Sequence, residues 1–191
     1  MDRLRRECPW DAEQTHRSLV KYLVEESYEV IEAIETDDRD HLREELGDLL
    51  LQVYFHARIA SEDPEHGFDI GDVAGGIIDK LVYRHPHVFA GLEVTGADEV
   101  NANWERLKAA EKKRSSPVEG IPPGLPALSY AAKVLGRLDL DAVASEPDEQ
   151  TIGRRLLALV AEARTQGLDP EQELRDTVRR LVLSSGPEDA S

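Results

Sequence analysis

The sequence has a single cysteine, and it lacks long apolar runs and a signal-like beginning. Cys8 is the one cysteine among its 191 residues, so an intramolecular disulfide and a cysteine-rich zinc site within these residues are excluded. No apolar stretch approaches the roughly 20 residues that a membrane-spanning helix needs, and the opening MDRLRRECPW lacks the apolar core of a secretory signal. We therefore expect a cytoplasmic protein with no membrane partner.

Basic residues are scarce relative to acidic ones. Lys and Arg total 23 against 39 Asp and Glu, which gives a formal net charge of −16. A surface of this sign repels the phosphate backbone of nucleic acids, so we expect no nucleic-acid partner. The length suits one domain, or a smaller domain with an appended segment.

Helical periodicity runs through most of the chain and strand-like alternation is nearly absent, so the sequence predicts an all-α fold. A turn at Asp38 separates the first two long helices, and Asp69 or Asp72 is expected to cap a third helix that ends near Arg84, before Pro86. Further helical stretches are predicted at 97–113, 127–138, 149–165 and 170–183.

The stretch SSPVEGIPPGLPAL interrupts the helical pattern. Its four prolines and two glycines cannot continue a helix, because proline lacks the backbone donor and clashes with the preceding turn. We place a linker here, which predicts a first domain over 1–115, a linker over 116–126 and a second domain over 127–191.

The second domain resembles part of the first. LGDLLLQVYFHAR, from Leu46, aligns without gaps on IGRRLLALVAEAR, from Ile152, and GFDIGDVAGGIIDKL aligns in the same order on GLDPEQELRDTVRRL. At the positions of Glu45 and Asp48, the second segment carries Thr151 and Arg154. We interpret it as an eroded, non-catalytic second repeat; the alternative is chance similarity between amphipathic helices.

Two pairs of carboxylates border the apolar faces of the first two long helices. Glu26 and Glu29 form one pair, and Glu45 and Asp48 form the other, each at a spacing of three residues that puts both members on one helix face. If the helices pack antiparallel, the four acids converge and repel, and a hard divalent cation such as Mg²⁺ relieves that repulsion. The alternative is a solvated acidic rim.

Cationic and aromatic side chains recur at helical spacing later in the first domain. Lys80 and Arg84 share one helix face, and Trp104 and Lys108 share another. Cations in so acidic a chain are candidate phosphate contacts, although a solvated helix face is the alternative for the first pair and core packing for Trp104. Trp10 is expected to pack near the N-terminus.

Several motifs together resemble the MazG family of nucleoside triphosphate pyrophosphohydrolases: CPWDAEQTH at 8–16, EESYEV at 25–30, ELGDLL at 45–50 and DKLVYRHPHVF at 79–89. The family signature, EExxE followed by ExxD, is matched at five positions. These are Glu25, Glu26, Glu29, Glu45 and Asp48.

The resemblance implies a MazG-like four-helix bundle in which Glu26, Glu29, Glu45 and Asp48 bind Mg²⁺, and Mn²⁺ is expected to substitute. It implies hydrolysis of a nucleoside triphosphate to the monophosphate and pyrophosphate, by a homo-oligomer that is most simply a dimer. Glu25 or Glu29 is the candidate proton acceptor. The implied substrate contacts are Lys80, Arg84, Trp104 and Lys108.

Other functions stay open at this point. A non-catalytic acidic helical regulator or adaptor could keep the same bundle, although it would have no reason to keep both the acidic and the cationic sets. Within the enzymes, a dUTP pyrophosphatase or a phosphoribosyl-ATP pyrophosphatase uses related helices. The favoured interpretation is an enzyme that removes surplus or damaged nucleotides.

Overall fold

The computed structural model describes residues 1–111, 115–140 and 151–185. In these ranges the regular structure is helical and no strand occurs, which confirms the all-α prediction. The predicted ends of two helices, Lys113 and Glu149, lie outside the described residues. The helices are α1 (Asp2–Glu7), α2 (Pro9–Glu13), α3 (His16–Glu35), α4 (Arg39–Ala60), α5 (Ile70–Arg84), α6 (Pro86–Phe89), α7 (Ala97–Glu111), α8 (Ala127–Leu138), α9 (Ile152–Thr165) and α10 (Pro170–Ser184).

The chain divides into two compact units, Met1–Glu111 and Lys112–Ser191. None of the helices in the described ranges combines the length and the apolar character needed to cross a membrane. The division by packing falls close to the predicted linker. That the second unit is an eroded repeat of the first stays a prediction.

Side-chain caps fix where α3 and α4 begin. Thr15 and Ser18 form a capping box, in which each side chain bonds the other residue's backbone N–H. Asp37, at a φ of 52°, turns the chain after α3. The Asp38 carboxylate then accepts hydrogen bonds from the backbone N–H groups of Asp40 and His41, which starts α4. Because so few residues join them, α3 and α4 form an antiparallel hairpin.

The packed face of this hairpin contains polar residues as well as apolar ones. Leu19 and Ala33 are buried on α3, while Phe55 is buried on α4 together with Glu45 and Gln52. Burying a carboxylate is unfavourable unless something compensates its charge. The interface between the two longest helices is therefore where a functional site is expected.

The N-terminal segment is fastened to the far end of α4. Two nitrogens of the Arg5 guanidinium donate to the two carboxylate oxygens of Glu62 at 2.8 and 2.9 Å, and a third bonds the carbonyl oxygens of Ala12 and Gln14. This pairing lowers the pKa of Glu62. It holds α2 in place, so that Trp10 packs edge-on against neighbouring aromatic rings, as expected from the sequence. Those rings are Tyr22, at a centroid distance of 5.8 Å, and Phe55, at 6.4 Å.

The cap of α5 is the predicted one. The Asp69 carboxylate accepts from the backbone N–H groups of Gly71 and Asp72, and the Asp72 side chain bonds the Asp69 N–H in return. Before this cap the chain makes a close turn at Gly67. A Cβ there would clash with the carbonyl oxygen of Asp63, so only glycine fits without a shift of the backbone.

The second unit has a small core. Leu135 of α8 packs with Val160 and Ala161 of α9, and all three are buried. Thr151 caps α9 by accepting from the backbone N–H of Arg154. Asp169, which aligns with Asp69, caps α10 in the same way as Asp69 caps α5.

Two histidines meet where the start of α3 faces α4. The rings of His16 and His56 are parallel to within 3° at a centroid distance of 5.1 Å, and their Nδ1 atoms lie 2.8 Å apart. Such a contact needs a proton on one nitrogen and a lone pair on the other. The Nε2 of His56 is buried without a partner. Burial, together with the neighbouring His16, lowers the pKa of His56.

We predict that His56 makes the protein less stable in mild acid. When folding lowers the pKa of a base, the folded state binds fewer protons than the unfolded state. The contribution of His56 to stability is therefore fully present above its ordinary pKa of about 6.5, and it is lost as the pH falls through the pKa of the folded state. Melting temperatures at pH 8, 6.5 and 5 should show a smaller loss in His56→Leu than in the native chain. The exposed His66 is the control, since His66→Ala should keep the native loss. Equal losses in the native chain and in His56→Leu would contradict the prediction.

Candidate functional site

Three of the predicted carboxylates converge between α3 and α4. One oxygen each from Glu26, Glu29 and Glu45 lie within 4.8 Å of one another. The antiparallel hairpin produces this arrangement, because each acid stands on the face of its helix that meets the other helix. Glu45 is the most deeply placed of the three, at 8% exposed.

The fourth predicted acid acts on the cluster through its charge. Asp48 contributes no oxygen to the group of three, but it raises the pKa values of both Glu26 and Glu45. Burial is the largest cause of the raised pKa of Glu26, followed by the charges of Asp48 and Glu29 and a hydrogen bond to Glu29. Burial is also the largest cause for Glu45, followed by the charge of Glu29. Among the described residues, burial and like charge around Glu26 and Glu45 together disfavour the ionised forms of these two acids.

One contact to this cluster was not predicted. The Nε2 of His41 lies 3.0 Å from the Oε1 of Glu45, one helical turn away on α4. Its charge lowers the pKa of Glu45, against the effects of burial and the other acids. The spacing of four residues within HLREE was a signal for this pair, because such residues are neighbours on a helix.

Glu25, the other candidate proton acceptor, lies on the exposed side of α3 and contributes no oxygen to the cluster. Glu29 does contribute one. Of the two candidates for general base, Glu29 is therefore the one that the hairpin brings to the other acids.

The donor set fits a hard divalent cation. Every atom that the cluster offers is a carboxylate oxygen, which is the ligand type that Mg²⁺ and Mn²⁺ prefer. Burial and the neighbouring acids both raise the pKa values of Glu26 and Glu45, so a cation at this position would favour their ionised forms. By contrast, a site for a softer metal would need histidine or cysteine among the ligands.

Two of the predicted substrate contacts come together elsewhere in the first unit. Arg84 is 6% exposed, and its guanidinium lies over the ring of Trp104 at 5.1 Å from the centroid. Its Nε and Nη2 both donate to one oxygen of Glu111, at 3.0 and 2.8 Å. His85 packs edge-on against Trp104, with the ring centroids 4.9 Å apart. The sequence predicted Arg84 and Trp104 as partners in function but missed both Glu111 and His85.

The remaining two cations lie on exposed or half-buried parts of the same region. The Nζ of Lys108 pairs with Glu105 at 2.8 Å. Lys80 is exposed and lines an open cleft of about 410 Å³ together with Tyr83 and Glu111. Among the described residues, no hydrogen bond or ion pair links Lys80, Arg84 or Lys108 to the carboxylate cluster. Their role as phosphate contacts therefore stays a prediction.

Removing one charge from the cluster should stabilise the metal-free protein. The pKa of Glu26 is raised by folding, so this acid lowers stability above its folded pKa, and the loss is recovered as the pH falls toward its ordinary value. Without divalent metal, Glu26→Gln should melt at a higher temperature than the native chain at pH 8, by an amount that shrinks toward pH 5. Glu32→Gln, an exposed site on the same helix, should show no such gain. A lower melting temperature for Glu26→Gln at pH 8 would contradict the electrostatic interpretation.

Comparison with known proteins gives consistent matches. The model of the MazG nucleotide pyrophosphohydrolase domain matches residues 14–89. The chain is 52% identical over 178 residues to an uncharacterised 26.1 kDa protein of Streptomyces cacaoi, with 92% of this chain and 74% of that protein covered. It is 39% identical over 200 residues to the nucleoside triphosphate pyrophosphohydrolase/pyrophosphatase MazG of Thermotoga maritima, with 92% and 76% covered.

Other relatives are longer than this chain. A nucleoside triphosphate pyrophosphohydrolase of Mycolicibacterium smegmatis is 47% identical over 185 residues, which cover 95% of this chain but 55% of that protein. The crystal structure of a mazG-related protein from Thermotoga maritima is 28% identical, with a TM-score of 0.48, and covers 56% of this chain and 92% of that one. The match to the domain model and the identity over most of the Thermotoga maritima MazG protein show that the chain belongs to the MazG nucleotide pyrophosphohydrolase family.

Proposed function

We propose that this protein is a Mg²⁺-dependent nucleoside triphosphate pyrophosphohydrolase, which converts an NTP or dNTP and water to the monophosphate and pyrophosphate. The observation that supports this most directly is the convergence of Glu26, Glu29 and Glu45, with the charge of Asp48 beside them. An adaptor would gain nothing from keeping four acids in an arrangement that raises the pKa values of Glu26 and Glu45. The cellular role that we propose is the removal of surplus or damaged nucleotides.

The reaction breaks the bond between the α-phosphoryl group and the bridging oxygen, and adds the elements of water. Bound Mg²⁺ would neutralise the crowded phosphates and the departing pyrophosphate, and Mn²⁺ is expected to substitute. Glu26, Glu29, Glu45 and Asp48 would hold the metal. Glu29, or Glu25 from the exposed side of α3, would accept the proton of the attacking water.

The cationic set would bind the phosphates from another direction. Arg84 presents a planar guanidinium, which matches phosphate oxygens in pairs, and Trp104 offers a ring for the nucleoside. In this structure the guanidinium already donates to Glu111. A phosphate would therefore have to share Arg84 with that carboxylate or replace it. Lys80 and Lys108 would add positive charge nearby.

We also propose that the protein is a homo-oligomer, most simply a dimer. Large apolar side chains on three helices of the first unit are about half exposed, which is unusual for a monomer with a buried core. A second copy would cover them and would bring a second set of helices to the acidic cluster. Examples are Val24 (50%), Ile34 (59%), Leu46 (49%), Leu50 (53%) and Ile78 (57%).

The second unit is proposed to be non-catalytic. Thr151 and Arg154 occupy the positions of the second acid pair, and a positively charged guanidinium cannot ligate Mg²⁺. The apolar positions of the aligned helices are kept in the second unit, so we expect this unit to contribute to packing. We propose a cytoplasmic location, which the single cysteine of the chain fits.

Loss of a cluster acid should abolish turnover without unfolding the chain. Glu29→Ala and Asp48→Ala each remove a charge that the metal needs, while neither takes away a buried apolar contact. Pyrophosphate release from a panel of ribo- and deoxyribonucleoside triphosphates, with and without saturating Mg²⁺, measures the effect, and circular dichroism checks helicity. Glu32→Ala should behave as the native chain. Near-normal release by either cluster variant would refute the assignment of these acids.

Loss of Arg84 should slow the reaction strongly. Arg84→Ala is expected to lower kcat/KM by about 30-fold, which is about 2 kcal/mol, the scale of losing one preorganised donor. Glu111→Gln keeps a side chain of the same size but weakens the competing ion pair, so it should retain activity with an equal or lower KM. Arg106→Ala, an exposed arginine of α7, is the matched control. If Arg84→Ala and Glu111→Gln lose activity and stability in parallel, Arg84 acts through structure and not on phosphate.

A further inference from the structure

His41 lies beside the carboxylate cluster of Glu26, Glu29 and Glu45, and it is not part of the family signature. Its Nε2 lies 3.0 Å from the Oε1 of Glu45, whose side chain is 10% exposed, whereas the imidazole is 38% exposed. We propose that His41 is a positioning residue: it holds the Glu45 carboxylate in the orientation that binds the divalent cation. This inference rests on the proposed metal-dependent function.

The Glu45 side chain needs such support. It has three rotatable bonds, and the neighbouring charges of Glu29 and Asp48 both act against its ionised form. Without a donor, an ionised Glu45 would favour rotamers that turn away from those acids and toward water. The ion-pair contact with His41, at 3.0 Å, opposes that rotation and keeps the carboxylate at the α3–α4 interface.

The contact with His41 leaves enough of the carboxylate for a cation. An ionised carboxylate has two oxygens with about four lone-pair positions, and His41 approaches it at Oε1. Metal-binding carboxylates are commonly hydrogen-bonded by a neighbour that orients them.

His41 is itself held in place. Its backbone N–H donates to the Asp38 carboxylate at 3.0 Å, in the cap that starts α4. The cap fixes the first turn of the helix, and the spacing of four residues then brings the His41 ring over Glu45. The turn between α3 and α4 is thereby connected to the proposed metal ligand Glu45 through one hydrogen bond and one ion-pair contact.

The experiment measures Mn²⁺ binding to the full chain by titration calorimetry or by the loss of the free-ion paramagnetic resonance signal. His41→Ala should weaken the affinity about 10-fold or more, the lower end of what losing an orienting partner of a metal ligand costs. His41→Gln should restore most of it, because the Nε2 of glutamine can donate from nearly the same place. His66→Ala, at an exposed histidine in the turn after α4, should bind as the native chain does.

Two results would overturn the proposal. The first is an unchanged Mn²⁺ affinity in His41→Ala, which would make the contact an ordinary pair on the helix surface. The second is a folded His41→Gln that binds Mn²⁺ as weakly as His41→Ala does. Pyrophosphate release is measured on the same samples to separate this proposal from the function. If the native chain binds Mn²⁺ and releases pyrophosphate while His41→Ala is unaffected, only the positioning role fails. If Mn²⁺ binding depends on His41 but no triphosphate is hydrolysed, the positioning role stands and the proposed function fails.

Discussion

Mutual repulsion among carboxylates at the α3–α4 interface is the constraint around which the first unit is organised. Glu26 and Glu45 both have raised pKa values. Burial is the largest cause for each, and the charges of Glu29 and Asp48 raise both values further. A hairpin with apolar residues at these positions would be more stable without metal. The chain compensates with strong local devices: side-chain caps at Thr15 and Asp38, and the Arg5 contacts that fasten the N-terminal segment.

Arg84, the other buried charge described in this unit, differs from the acidic cluster because its charge has a partner. Arg84 is as deeply buried as Glu45, yet its charge is matched by Glu111 and covered by Trp104. A buried charge with its partner present contributes to a fixed structure, whereas buried like charges without one favour a ligand of opposite sign. This difference explains why the acidic cluster carries the functional argument, while Arg84 requires an exchange of partners before it contacts a phosphate.

Sequence reasoning reached the features that local chemistry decides. Periodicity predicts the helices, Asp38 and Asp69 are caps because a carboxylate there meets free N–H groups, and the spacing of Glu26 and Glu29 puts them on one face. The contacts of Arg84 with Glu111, and of His85 with Trp104, were out of reach, because they join different helices through particular rotamers. The pair of His41 with Glu45 lay between these cases, since its spacing was visible but its meaning depended on which face of α4 is buried.

The second unit shows how such a site is lost, if it is the eroded repeat that we propose. In α4 nearly two helical turns precede Leu46, and they carry His41 and Glu45. At the aligned position, α9 begins with Ile152, so that Thr151 takes the place of Glu45 but uses its side chain to cap the helix. A side chain occupied by a cap cannot also reach across an interface to a cation. The change therefore goes beyond the exchange of an acid for a neutral residue, because the side chain at 151 has taken on the task of starting the helix.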